Sequence, residues 1–183
     1  MSKSLIIGFG NVYRRDDGVA FVLLNTVRER LGRPPFDIDD DGFDDLGHEV
    51  DTIVLHQLVP ELVDVVAPYD LILFLDAHVG AIDVPIYEEE LEACFKSATV
   101  SHQLHPCTVL ALVEQMHNRT PRGVLLSIRG YDFEFGEGLS DETAAIVPDA
   151  VERVMTLLGK CPPSVRTTPL RGASALPSAG GEE

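Results

Sequence analysis

Basic residues are scarce in this chain: 14 Lys and Arg stand against 30 Asp and Glu, a formal charge of −16 over 183 residues. A field of that sign repels phosphate backbones and anionic lipid surfaces while drawing in cations and basic partners, which argues against nucleic-acid binding. Long apolar runs are missing as well. None approaches the roughly 20 residues that span a bilayer, and the first residues lack the basic stretch and apolar core of a secretory leader. The expectation is a cytoplasmic protein with no membrane contact. Cysteine is sparse: Cys94, Cys107 and Cys161 are odd in number and show no Cys-x-x-Cys spacing. That argues against a disulfide framework or a four-thiolate zinc site and leaves reduced thiols as the expectation. No Gly-x-Ser-x-Gly motif occurs, and no Cys-His-Asn signature surrounds Cys94 or Cys107, so a covalent-nucleophile hydrolase is disfavoured and these thiols read as small buried residues.

What is present is organised around residues 5–24. A short apolar run leads into Gly8-Phe9-Gly10-Asn11, the carboxylates Asp16 and Asp17 follow, and an amphipathic segment comes next. The pattern reads as strand, loop and helix, with acid groups presented where the strand exits. A phosphate-cradling turn would need a third glycine where Tyr13 stands, and Asp16 and Asp17 would repel the phosphate. Dinucleotide binding is therefore rejected in favour of a divalent cation or acid/base chemistry.

Along the chain, residues 4–9 read as a central parallel strand and 17–31 as a helix stopped by Gly32, Pro34 and Pro35, with Asp16 a candidate N-cap. Residues 36–51 carry eight acids and no Lys or Arg. Such a block reads as a solvated, mobile loop, and it lacks the terminal Glu of a calcium-binding EF-hand. A strand at 52–56, a helix at 59–66, and the most apolar run, 71–75, ending in Asp76, come next. A strand at 84–90, marked as an edge by Glu88, Glu89 and Glu90, precedes a helix at 106–117 with Val109, Leu110, Val113 and Met116 on one face. A strand at 124–129 is followed by a last helix capped by Ser140, with Ala144, Val147, Val151, Val154 and Leu158 inward and Gly159 at its end. Residues 161–183, rich in Pro, Ser, Gly and Ala, read as a disordered tail behind a single domain of residues 1–160. The alternation implies an α/β fold: a three-layer α/β/α sandwich with a mostly parallel, twisted central sheet.

In open α/β folds ligands sit at the carboxyl edge of the sheet, where Asp17 and Asp76 both fall. His102 lies in a loop before a helix that can return to the same edge. Two carboxylates and an imidazole form a mixed O/N set suited to nickel, zinc, manganese or iron, with room left for water or substrate. Taken one at a time each residue has an ordinary explanation: helix caps for Asp16 and Asp17, a turn former for Asp76, a loop histidine for His102. Their shared address is what favours a site. Pro106 places His105 before the helix as the next candidate ligand, and His78 alternates with Asp76 along the strand. His48, His56 and His117 read as ordinary surface or core histidines.

These motifs together resemble the maturation endopeptidases of nickel-iron hydrogenases. The resemblance runs from Leu5 to about Leu158 through Gly8-Phe9-Gly10-Asn11, Asp16-Asp17-Gly18, Leu75-Asp76-Ala77, Ser101-His102-Gln103-Leu104 and Gly138-Leu139-Ser140; the stretch from His56 to Leu62 and Pro106 fit one branch of that family. It implies a cytoplasmic protease that removes a C-terminal extension from the hydrogenase large-subunit precursor once nickel has been inserted; a monomer is the separate expectation. Nickel held by the substrate would be the recognition element, and the family's metal-contacting residues fall on Asp17, Asp76 and His102. Many members carry Glu at the position of Asp17, whose side chain is shorter by roughly 1.5 Å, so the ligand or the backbone must shift; many also carry an Asp with glycines where this chain has His56-Gln57-Leu58, which implies a different substrate subtype. The acidic loop is expected to steer a basic precursor tail. Two other readings use the same residues: a module that inspects the nickel state without cutting, and a small-molecule metallohydrolase that keeps its own metal.

Overall fold

The computed structural model describes residues 2–96 and 104–160. Five strands form one sheet in the order β2-β1-β3-β5-β4: β1 Ser4–Phe9, β2 Val50–Leu55, β3 Leu71–His78, β4 Ile86–Leu91 and β5 Arg122–Arg129. All pairings are parallel except that of β4, which runs antiparallel to β5 at one edge. Four helices cover the sheet: α1 Val19–Arg30, α2 Leu62–Val66, α3 Pro106–His117 and α4 Asp141–Leu157. The three-layer α/β/α sandwich follows from side-chain alternation along strands buried on both faces. Leu71, Leu73 and Leu75 of β3 pack with Val124, Leu126 and Ile128 of β5 beneath α1 and α4. Ile72 and Phe74 pack on the opposite face beneath α2 and α3. Each such side chain, fully buried, is worth about 1.5–3 kcal/mol, so the two layers outweigh every surface ion pair in the molecule.

The strand order locates the functional edge. α1, leaving β1, covers one face, while α2, leaving β2, covers the other. The crevice between the carboxyl ends of β1 and β3 is the point where the winding reverses, the usual place for a ligand in this architecture.

Several elements depart from expectation for identifiable reasons. The block 36–51 is not a loose loop. Asp45 accepts hydrogen bonds from Arg28 at 2.9 Å and Arg33 at 2.5 Å, and Arg28, only 2% exposed, also donates to Thr52 Oγ1 and stacks on the Phe36 ring. The balancing cations come from α1 and the turn after it, outside the acidic window. Asp51 is a β2 residue, buried, and accepts from the Tyr69 hydroxyl and from the amides of Gly47 and His48. Burial and this carboxylate raise the Tyr69 hydroxyl pKa. The block runs along β2, with the Val54 amide donating to the Asp41 carbonyl, and so covers an edge that would otherwise expose unpaired backbone groups.

Cys94 and Cys107 form a disulfide rather than remaining reduced. Residues 92–96 lie over the first turn of α3, with Cys94 N donating to Cys107 O at 3.1 Å and Lys96 N to Thr108 Oγ1, which brings the two Cα atoms to 5.2 Å. That spacing suits a disulfide. Met116 is 63% exposed and Ala144 is exposed as well, because α3 and α4 are covered over narrower faces than their apolar spacing suggests. The helix expected at 59–66 is confined to Leu62–Val66. Ser140 caps α4 as expected, accepting from Thr143 N, and Gly159 takes the positive φ of 68° that closes it. The expected tail, 161–183, lies outside the described residues, as does His102. No described helix is long and apolar enough to cross a membrane.

Candidate functional site

β1 ends at Phe9, and its pairing with β3 stops at Gly8 opposite Leu75. β3 continues for three residues, held only by β5 through Asp76 opposite Ser127, Ala77 opposite Ile128 and His78 opposite Arg129. Asp76 therefore lies inside a strand rather than terminating one. Its flank on the β1 side is open because the β1 chain turns away at Gly10, where φ is 144° and an added Cβ would lie 2.1 Å from the Asp17 carbonyl oxygen. Only glycine permits that approach. The chain then passes through a 3-10 turn, Arg15–Gly18, that sets Asp17 beside the same opening, and this turn packs on β3.

The two carboxylates are held alike. Asp17 Oδ2 accepts from the Asn11 amide at 2.8 Å, and Asp76 Oδ1 accepts from its own neighbour, Ala77 N, at 2.8 Å. The second oxygen of each makes no hydrogen bond among the described residues. Burial pushes the Asp76 pKa from 3.8 to about 7; the Ala77 amide opposes this and the nearby Asp17 carboxylate adds to it. A half-buried acid that exchanges its proton near neutrality, beside a second carboxylate, can serve as general acid or base, and the free oxygens suit a cation. Asp76 faces the α2 and α3 side of the sheet, since it alternates with Phe74. His102 precedes α3 in sequence and lies outside the described residues. Among the described residues no group of three His, Cys, Asp or Glu could hold a metal ion.

Asp16 has a different role from the N-cap expected of it. α1 has no side-chain cap, and Asp16, 0% exposed, accepts five hydrogen bonds instead. They come from the amides of Tyr131, Asp132 and Ser140 and from the hydroxyls of Ser140 and Thr143, at 2.7–2.8 Å. Burial alone would raise its pKa; the donors, led by Ser140, outweigh burial and hold it at about 2. This carboxylate ties the turn after β1 to the loop after β5 and to the start of α4, and so fixes its neighbour Asp17 in place.

The remaining histidines are committed elsewhere. His105 caps α3, its Nδ1 accepting from Cys107 N at 3.2 Å, and burial followed by the charge of Lys96 lowers its pKa. His78 places Nδ1 at 3.1 Å from Ser127 Oγ and Nε2 at 3.1 Å from Val84 O, which leaves neither nitrogen free as a ligand. His48 and His117 pair with Asp45 and Asp64, and His56 is exposed. Ser127 and the donors to Asp16 other than Ser140 had no signal in the sequence beyond their residue types.

The sheet order defines an open α/β fold whose reversal point lies between β1 and β3. It is the fold of the hydrogenase maturation proteases. The hydrogenase maturating endopeptidase HybD from E. coli superposes with a TM-score of 0.67 at 20% identity over 86% of this chain and 93% of that one. An endopeptidase from Escherichia coli gives 0.63 at 19% identity over 85% and 91%. The [NiFe] hydrogenase maturation protease HybD from Thermococcus kodakarensis gives 0.59 at 18% identity over 85% and 99%. No protein-family model and no curated protein sequence matches the chain.

Proposed function

We propose that this protein is an endopeptidase that removes the C-terminal extension of a nickel-iron hydrogenase large-subunit precursor after nickel insertion. The observation that carries the reading is the pairing of Asp17 and Asp76 at the reversal point of the sheet, each with one oxygen fixed by a backbone amide and one left open. The shared fold with maturation endopeptidases supports it.

The nickel belongs to the substrate. Asp17, Asp76 and His102 complete its open coordination positions, so that a loaded precursor binds and an empty one does not, by differential affinity alone. The backbone amides of Asn11 and Ala77 orient the two carboxylates before the substrate arrives, which lowers the cost of assembling the site. With its pKa near 7, Asp76 exchanges its proton around neutral pH in the empty enzyme, and an approaching cation favours its ionised form.

The test is to incubate the purified protein with nickel-loaded and nickel-free precursor and weigh the products. Loss of a C-terminal fragment from the loaded form alone is the expected result. A stable complex with intact precursor would instead identify a checkpoint module. Turnover without any protein partner would identify a small-molecule hydrolase.

A further inference from the structure

Two loops flank Asp17 and are fastened to each other. Arg15 N donates to Gly136 O at 3.0 Å, Gly136 N donates to Tyr13 O at 2.9 Å, and the Arg14 guanidinium donates twice to Phe133 O. Asp16 adds its hydrogen bonds to Tyr131 and Asp132. Asp17 N in turn donates to Arg14 O, so this rim is one rigid body with the site. Its outer surface is unusual for the molecule. Of four exposed aromatic side chains among the described residues, three are here: Tyr13 at 47%, Tyr131 at 49% and Phe135 at 81% exposure. Arg14 packs against the Phe135 ring at 5.5 Å and Arg129 against Tyr131 at 5.0 Å, which holds both rings in the open. The exposed carboxylates of Glu134 and Glu137 border Phe135 in sequence, and neither has a cation within ion-pair distance among the described residues.

Aromatic side chains held rigidly on a surface lose little entropy when covered, and they are the residues that concentrate binding energy at protein interfaces. The two free carboxylates outnumber Arg14, whose guanidinium is taken up by Phe133 O and the Phe135 ring, and so favour Lys or Arg on the incoming chain. The overall charge of −16 steers in the same direction. We infer that the rim formed by residues 13–15 and 131–137 is the docking surface for a basic, apolar polypeptide segment. On the functional reading above, on which this rests, that segment belongs to the hydrogenase precursor and is bound while its nickel end meets Asp17 and Asp76. The rim supplies affinity and selects the partner; it does not touch the reacting atoms.

The experiment measures cleavage of nickel-loaded precursor against precursor concentration and salt for wild type, Phe135→Ala and the double variant Glu134→Gln/Glu137→Gln. Phe135 makes no core contact, so its removal leaves the fold intact, and thermal melting checks this. Phe135→Ala raises KM roughly tenfold with kcat within about twofold of wild type. The double variant raises KM several-fold at low salt and removes most of the salt dependence that wild type shows. Unchanged KM in both variants, or a fall in kcat alone, overturns the docking role while leaving the functional reading in place. Failure of the wild type itself to bind or cut the precursor overturns the functional reading, and the assigned partner with it.

Discussion

Asp16 and Asp76 are the same residue type at the same edge of one sheet, and their environments drive them in opposite directions. Asp16 is sealed from solvent yet accepts five hydrogen bonds, so its ionised form is the stable one and its pKa sits at about 2. Asp76 has one amide donor and a carboxylate for a neighbour, so burial wins and its pKa rises to about 7. Burial and donors pull a carboxylate in opposite directions: the donors win at Asp16 and burial wins at Asp76. A carboxylate saturated with donors is a structural tie. One left short of donors costs stability, and groups perturbed in this way cluster at functional sites.

That contrast can be broken by substitution. Asp17→Asn and Asp76→Asn are expected to reduce precursor cleavage by roughly 10²–10⁴-fold with unchanged far-UV circular dichroism; retained cleavage in either variant removes that residue from the site. Asp16→Ala is expected to cost about 3 kcal/mol or more in urea unfolding, because five donors lose their acceptor in a closed space. Its cleavage loss then tracks unfolding rather than chemistry. Asp16 contributes stability that is present above pH 3.8 and lost as pH falls toward 2, since its folded pKa lies below the unfolded value.

Asp76 behaves with the reverse sign. Its folded pKa lies above the unfolded 3.8, so the unfolded chain releases its proton first and stability falls as pH rises from 3.8 through 7. Asp76→Asn, which cannot ionise, is expected to be more stable than wild type at pH 8 by about 1–3 kcal/mol and nearly equal to it at pH 4. Equal melting temperatures at both pH values would show that the carboxylate is solvated. The smallest effect is expected at Asp45, a third acid fully used in structure. Asp45→Ala should cost about 1–2 kcal/mol and raise amide exchange across residues 36–49, because Arg28 and Arg33 lose their shared partner.

Much of the scaffold was legible because its signals are local. The strand at Ser4–Phe9, the helix at Pro106–His117 and the Ser140 cap need no information beyond a few neighbouring residues. The β4 edge declared itself through its run of glutamates, two of which pair with Arg153 and Arg122. Of the three expected site residues, Asp17 and Asp76 fall where strands exit and lie close enough for one charge to act on the other, while His102 lies outside the described residues. What could not be read depends on distant partners. The donors to Asp16 lie 115 to 127 positions away, so its adjacent pair with Asp17 looked like two equivalent caps. The acidic block looked unbalanced because Arg28 and Arg33 precede it. Asp76 looked like a strand end because only the greater length of β5 carries β3 past it. The disulfide escaped because its cysteines are 13 residues apart with no motif between them, and only the fold of residues 92–96 over α3 joins them.

If Asp17 and Asp76 form one site, each carboxylate must feel the other's charge. A carboxyl-carbon NMR titration of Asp76, in wild type and in Asp17→Asn, measures this most directly. A midpoint near pH 7 that falls when Asp17 is neutralised is the predicted result; a midpoint near 4 that ignores the substitution would contradict it.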